Sequence, residues 1–209
     1  MKNLRKYIKQ ILLTEAAKTA EDLGDMYIEI EFTPGEWISV SLWKIDEAGA
    51  KNRAGEVQAI IDRDEDDPPC SGAYEIAWTS SEGAPGFGPM LYDVAMELAG
   101  KAGLMCDRGS VSPEASRVWE YYLNSRPDVI SKQLDDEKAP FLQSPEENDI
   151  SDDCNQRTFR RKAKYRAHDN AIEDAEFKQK FLDHWSTKAY VKTSGTPVLD
   201  KLKSLNKVK

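Results

Sequence analysis

The stretch Ser80-Ser81-Glu82-Gly83-Ala84-Pro85-Gly86-Phe87-Gly88-Pro89-Met90-Leu91 joins two segments of different period. Before it, Ala73-Tyr74-Glu75-Ile76-Ala77-Trp78-Thr79 alternates like a strand. After it, Met90 to Ala102 places Leu91, Val94, Ala95 and Leu98 on one helical face, and Pro89 stands where a first helical residue tolerates proline. A strand that turns through glycines into a helix gathers free backbone N–H groups and the positive end of the helix dipole at one point, where an anionic phosphate is stabilised. Gly86 and Gly88 let the backbone approach a ligand closely. A G-x-G pair also describes an ordinary tight turn, so its surroundings decide.

Upstream the chain reads as a meander. Tyr27-Ile28-Glu29-Ile30-Glu31-Phe32 ends at Pro34-Gly35, Trp37 to Trp43 returns as its hairpin partner, and Val57-Gln58-Ala59-Ile60-Ile61 makes a third strand. The acidic, turn-rich Asp62 to Pro69 then leads to Ala73–Thr79. A dinucleotide fold would alternate strand and helix, and a P-loop would follow its glycines with Lys-Ser/Thr; neither pattern is present. A pyrophosphate-bearing acyl carrier remains as the ligand class.

Downstream, Leu104-Met105-Cys106 is a brief buried strand, and Ser112-Pro113-Glu114-Ala115 opens a second helix through Tyr122 with an N-cap and a proline just inside it. Val129 to Leu134 returns as a strand. These elements define a compact α/β domain, of the α+β kind, over residues 26–134. Residues 1–20 form a basic amphipathic helix, with Leu4, Ile8, Ile11 and Leu12 opposite Lys2, Arg5, Lys6 and Lys9. Residues 135–155 read as an acidic linker, and 156–209 as a basic helical extension with helices near Asn170–Trp185 and Val198–Leu205.

The net charge of -8 argues against a general nucleic-acid binder. Within 156–209, however, basic residues outnumber acidic ones 14 to 6, which leaves a weak expectation of nucleic-acid contact there. No apolar run reaches the roughly 20 residues that span a bilayer, so no membrane partner is expected. Cys70, Cys106 and Cys154 are odd in number and form no C-x-x-C pair, which predicts reduced thiols and no metal. His168 and His184 lack the neighbours of a metal or triad site and are read as structural.

Taken together, the meander, Ala84-Pro85-Gly86-Phe87-Gly88-Pro89-Met90-Leu91, and the helix Ser112-Pro113-Glu114-Ala115-Ser116-Arg117-Val118-Trp119-Glu120-Tyr121-Tyr122 resemble the GCN5-related N-acetyltransferase superfamily over roughly residues 27–134. The resemblance implies a mixed, mostly antiparallel central sheet flanked by helices. It implies acetyl-coenzyme A as cosubstrate, with Gly86, Phe87, Gly88, Met90 and Leu91 around the pyrophosphate and Trp78, Thr79 and Ser80 beside the pantetheine arm. It implies direct transfer of the acyl group from the coenzyme A thioester to an amine acceptor, a small molecule or a protein. Gly83 stands where the family signature has Gln or Arg, Ser112 where the helix usually begins with Asn, and Trp119 on the usual position of the tyrosine that protonates the leaving thiolate. Tyr121 or Tyr122 then fills that role if the register shifts, and Glu82, Glu75 or Asp107 is the candidate to take the amine proton.

The whole chain also resembles proteins of large tailed bacteriophages, through Gly88-Pro89-Met90-Leu91-Tyr92-Asp93-Val94-Ala95-Met96-Glu97, Asp107-Arg108-Gly109-Ser110-Val111-Ser112 and Val118-Trp119-Glu120-Tyr121-Tyr122. That resemblance implies the host cytoplasm as location, with packaging inside the virion head if the N-terminal helix addresses capsid or scaffold. Leu13-Thr14-Glu15 then fits a maturation cleavage site. It leaves a second reading open: a non-catalytic virion or host-interaction protein that keeps the fold for its shape.

Overall fold

A computed structural model describes residues 17–61, 72–107, 110–134 and 183–209. It is a mixed α+β arrangement of one curled seven-stranded sheet and three α-helices among these residues. The strands are β1 (Tyr27–Thr33), β2 (Trp37–Ile45), β3 (Lys51–Ile60), β4 (Tyr74–Ser80), β5 (Leu104–Met105), β6 (Val129–Gln133) and β7 (Lys188–Lys192); the helices are α1 (Gly88–Ala99), α2 (Pro113–Ser125) and α3 (Pro197–Ser204). The sheet runs β1-β2-β3-β4-β5-β7-β6. Its neighbours pair antiparallel except β4 and β5, which are parallel.

Each element follows from local chemistry. β1 and β2 alternate, with Ile28, Ile38, Val40 and Leu42 fully buried on the face that α1 covers. β3 begins six residues earlier than its apolar run suggests, because Asp46 turns the β2–β3 hairpin by accepting from the N–H groups of Ala48 and Ala50. α1 has Pro89 in its first turn and stops at Gly100, whose φ is 57°. α2 starts at Ser112, whose hydroxyl accepts from the Ala115 N–H at 3.1 Å.

The sheet takes one of its inner strands from the region that reads as a C-terminal extension. β7 lies between β5 and β6, and Tyr190 is fully buried against Trp119 and Tyr122. α3 packs on α1 through Leu199 and Leu202, and the last residues run beside β1: the Ile28 N–H donates to the Lys207 carbonyl and the Lys209 N–H to the Ile28 carbonyl. The sequence shows little of this, because Lys188-Ala189-Tyr190-Val191-Lys192 is short and charged at both ends. The expected N-terminal helix up to residue 16, the linker 135–155 and most of the helix near Asn170–Trp185 lie outside the described residues. So do the cleavage site at Leu13–Glu15, Cys70, Cys154 and His168.

Glu97 ties α3 to α1. Its carboxylate accepts from the Val198 N–H at 2.9 Å and the Leu199 N–H at 2.8 Å, capping a helix that lacks a side-chain cap of its own. Burial holds this carboxyl above its ordinary range despite the two bonds. A raised native value means that the folded chain binds the proton more tightly than the unfolded one. The group therefore favours folding below the ordinary carboxylate range, and that contribution falls as pH rises through the native value. Glu97→Ala is expected to cost about 1–3 kcal/mol in urea unfolding, the penalty for two N–H groups left without an acceptor. Glu97→Gln is expected to flatten this part of the stability profile when melts are compared across pH.

Candidate functional site

β4 and β5 share two rungs, Tyr74 with Leu104 and Glu75 with Met105. Beyond Glu75, residues Ile76–Ser80 keep β3 on one side and meet no described strand on the other. The register sends Trp78 and Ser80 to the face away from α1, where Trp78 is 58% exposed. Thr79 faces α1, and its side chain hydrogen-bonds Tyr92, whose hydroxyl burial nonetheless pushes up to about 12. Glu75, half-buried, is on the face away from α1 at the rung where the two strands part.

The turn that follows β4 is held by Ala84 N–H to Ser81 carbonyl (3.0 Å) and Phe87 N–H to Ala84 carbonyl (3.3 Å). Gly86 has φ 91°, and its carbonyl accepts from the Lys18 N–H at 2.9 Å. The N–H groups of Gly86, Gly88 and Met90 have no hydrogen-bond acceptor among the described residues. These are the donors a helix N-terminus offers to an anion. A Cβ built on Gly88 meets only Ser81 Oγ, at 3.5 Å, so the approach to this turn is open. Gly83 is different: a Cβ there lies 2.8 Å from Ala54 Cα, and the backbone of β3 leaves no room for the Gln or Arg of the family signature.

The side chains around the turn differ in exposure. Phe87 and Leu91 are fully buried in the core and their N–H groups are bonded to the Ala84 and Phe87 carbonyls, and Met90 is nearly as buried but keeps its N–H. Trp119 is buried with its ring 5.2 Å from those of Tyr92 and Tyr190, so this residue on the tyrosine position is part of the core. Tyr122, the other tyrosine offered as proton donor, is buried. Its hydroxyl is within donating distance of Asp93 Oδ1 (3.0 Å) and the Pro89 carbonyl (3.1 Å), and burial with the neighbouring Asp93 raises it well above the usual tyrosine range. Tyr121 is half-buried and lines a cavity beside α1. Glu82 is exposed on the turn, and Asp107 accepts from the Ser110 N–H at 2.8 Å.

A charged cluster missed in the sequence lies under this site. Arg126 pairs with Asp93 (3.1 Å) and Asp128 (2.6 Å), and Lys192 pairs with Asp128 (2.8 Å) and Asp93 (3.4 Å). The Lys192 side chain is only 3% exposed, so one of the basic residues counted in the C-terminal region serves the fold. The signal for it was Asp93, which with Glu97 four residues on puts two carboxylates on one face of a largely apolar helix. The bond from Arg126, followed by that from Lys192, holds the Asp128 carboxyl well below the usual range.

Cys106 is buried, its thiol 3.8 Å from the Ser186 carbonyl, and His184 Nδ1 accepts from the Ser186 N–H at 3.2 Å, a local cap. No group of three or more metal-ligating side chains occurs among the described residues, and no described helix is long and apolar enough to cross a membrane.

A depressed native value for Asp128 means stability that is present above the ordinary carboxylate range and lost as pH falls through the native value. Asp128→Asn is accordingly expected to lower the melting temperature at neutral pH and to flatten the acid limb of the profile between about pH 5 and pH 2. Tyr122→Phe removes one buried hydroxyl and is expected to cost about 1–2 kcal/mol in chemical denaturation.

No protein-family model, no curated protein and no solved structure matches the chain.

Proposed function

We propose that this chain is an acetyl-coenzyme A-dependent N-acyltransferase with a GCN5-related N-acetyltransferase-like fold. The observation that carries the reading is the continuous path from the free edge of β4 to the donor-bearing turn. An extended amide-containing arm pairs along Ile76–Ser80 as a missing strand would, and its pyrophosphate meets the N–H groups of Gly86, Gly88 and Met90. The parallel β4–β5 pair, separating after two rungs, leaves Trp78, Thr79 and Ser80 the open edge that the family resemblance assigns to the pantetheine arm.

Bound there, a coenzyme A thioester supplies an activated acyl carbonyl and a thiolate leaving group. The chain's own part is to hold the carrier by backbone groups, admit an amine on the face away from α1, and move one proton. Glu75, at the rung where β4 and β5 part, is the group placed to accept the ammonium proton. Of the two tyrosines Tyr121 and Tyr122, the second has its hydroxyl bound to Asp93, which leaves Tyr121 as the candidate donor to sulfur. No covalent intermediate on the protein is required.

A second reading is favoured by Trp119 in the core and Tyr122 bound to Asp93: a non-catalytic protein, of a phage virion or directed at the host, that keeps the fold and the coenzyme A groove. Calorimetric titration with acetyl-coenzyme A separates these readings from a chain that binds no acyl carrier. Micromolar affinity is expected, with loss of at least tenfold in Gly88→Glu, a substitution the open space at Gly88 accommodates without disturbing the fold. Binding without release of free thiol in an amine-acceptor screen would favour the non-catalytic reading, and absence of binding at about millimolar ligand would remove both.

A further inference from the structure

We propose that the cavity over the outer face of α1 binds a small amphipathic anion, a molecule with an apolar body and one carboxylate, sulfonate or phosphate group. The cavity measures about 320 Å³, at the small end of ligand pockets. Its floor is the first turn and a half of α1, through Pro89, Met90 and Asp93. Residues 17–21 and α3 wall one side, and α2 walls the other.

The apolar body is received by Met90, Val118, Tyr121 and Val198. The charges around the cavity do not cancel. Arg126 is matched by Asp93 at 3.1 Å and Lys201 by Glu21 at 2.9 Å. Lys18 and Arg117 remain, on opposite walls. The Lys18 ammonium stands over the Phe87 ring at 5.1 Å, and Arg117 has only an exposed contact with Glu114 at 3.5 Å, a pair worth little in water. An apolar chamber with two cations left over at its mouth selects an anion over a neutral or cationic molecule of the same shape. Its ligand is held by side chains and not by the backbone donors of the turn after β4, although Met90 and Tyr121 also serve the reading above, so competition with coenzyme A is part of the test.

The test is calorimetric titration of the full chain with octanoate, with octylamine and octanol as controls of equal length. Saturable one-to-one binding of octanoate is expected, with both controls at least roughly tenfold weaker. Val118→Trp, which fills the chamber, is expected to abolish binding. Lys18→Glu and Arg117→Glu, both at exposed positions, are each expected to weaken it at least roughly tenfold while the circular dichroism spectrum stays unchanged. Those two reversals carry the test even if Val118→Trp misfolds. Absence of saturable binding, equal binding of octylamine, insensitivity to both charge reversals, or one-for-one displacement by coenzyme A would overturn the proposal.

Discussion

The cluster of Asp93, Arg126, Asp128 and Lys192 is the constraint on which the helical layer depends. Taking such charges out of water is costly, and the cost is offset only when each carboxylate and each cation finds its partner in good geometry. Here that requirement is met by four residues from three separate places: α1 supplies Asp93, the turn after α2 supplies Arg126 and Asp128, and β7 supplies Lys192. Removing any one leaves its partners unbalanced, at most cost for the buried Asp93 and Lys192. Tyr122 adds a bond to Asp93 and another to the Pro89 carbonyl, so the same cluster reaches into the first turn of α1.

That connection is what positions the candidate site. The free N–H groups of Gly88 and Met90 point where α1 points, and α1 is fixed by the sheet beneath it, by Tyr122 beside it and by Glu97 gripping α3. The aromatic group of Tyr92, Trp119, Tyr122 and Tyr190 fills the space between α1, α2 and β7 with edge-on and tilted contacts. In exchange, the tyrosines that a sequence reading offers for chemistry are largely committed to packing. The donor turn and the free β4 edge remain clear of these contacts, which is why the site is read from backbone geometry and Glu75 more than from tyrosine chemistry.

Much of the sheet was legible from alternation alone, since β1, β2, β4 and α1 carry strong periodicity and turn residues at their ends. The glycine turn was legible for the same reason: a helix N-terminus after glycines exposes donors whatever packs around it. The fate of Phe87, Trp119 and Tyr122 was not, because a buried aromatic and an aromatic facing a ligand have the same sequence. Glu75 and Glu82 likewise look alike as letters, yet one stands at the parting of two strands and the other in solvent.

The sequence by itself determined the local elements and the turn that exposes backbone donors at Gly86–Met90, because these depend on residues within one or two turns of chain. Only the tertiary structure decided that β7 enters the sheet between β5 and β6, that β4 beyond Glu75 meets no second neighbour among the described strands, and that Asp93 meets Arg126 and Lys192, which in turn hold Asp128. Those outcomes depend on contacts between residues far apart in the chain, Lys192 with Asp93 above all, and burial gives such contacts their strength by removing the water that would otherwise screen them.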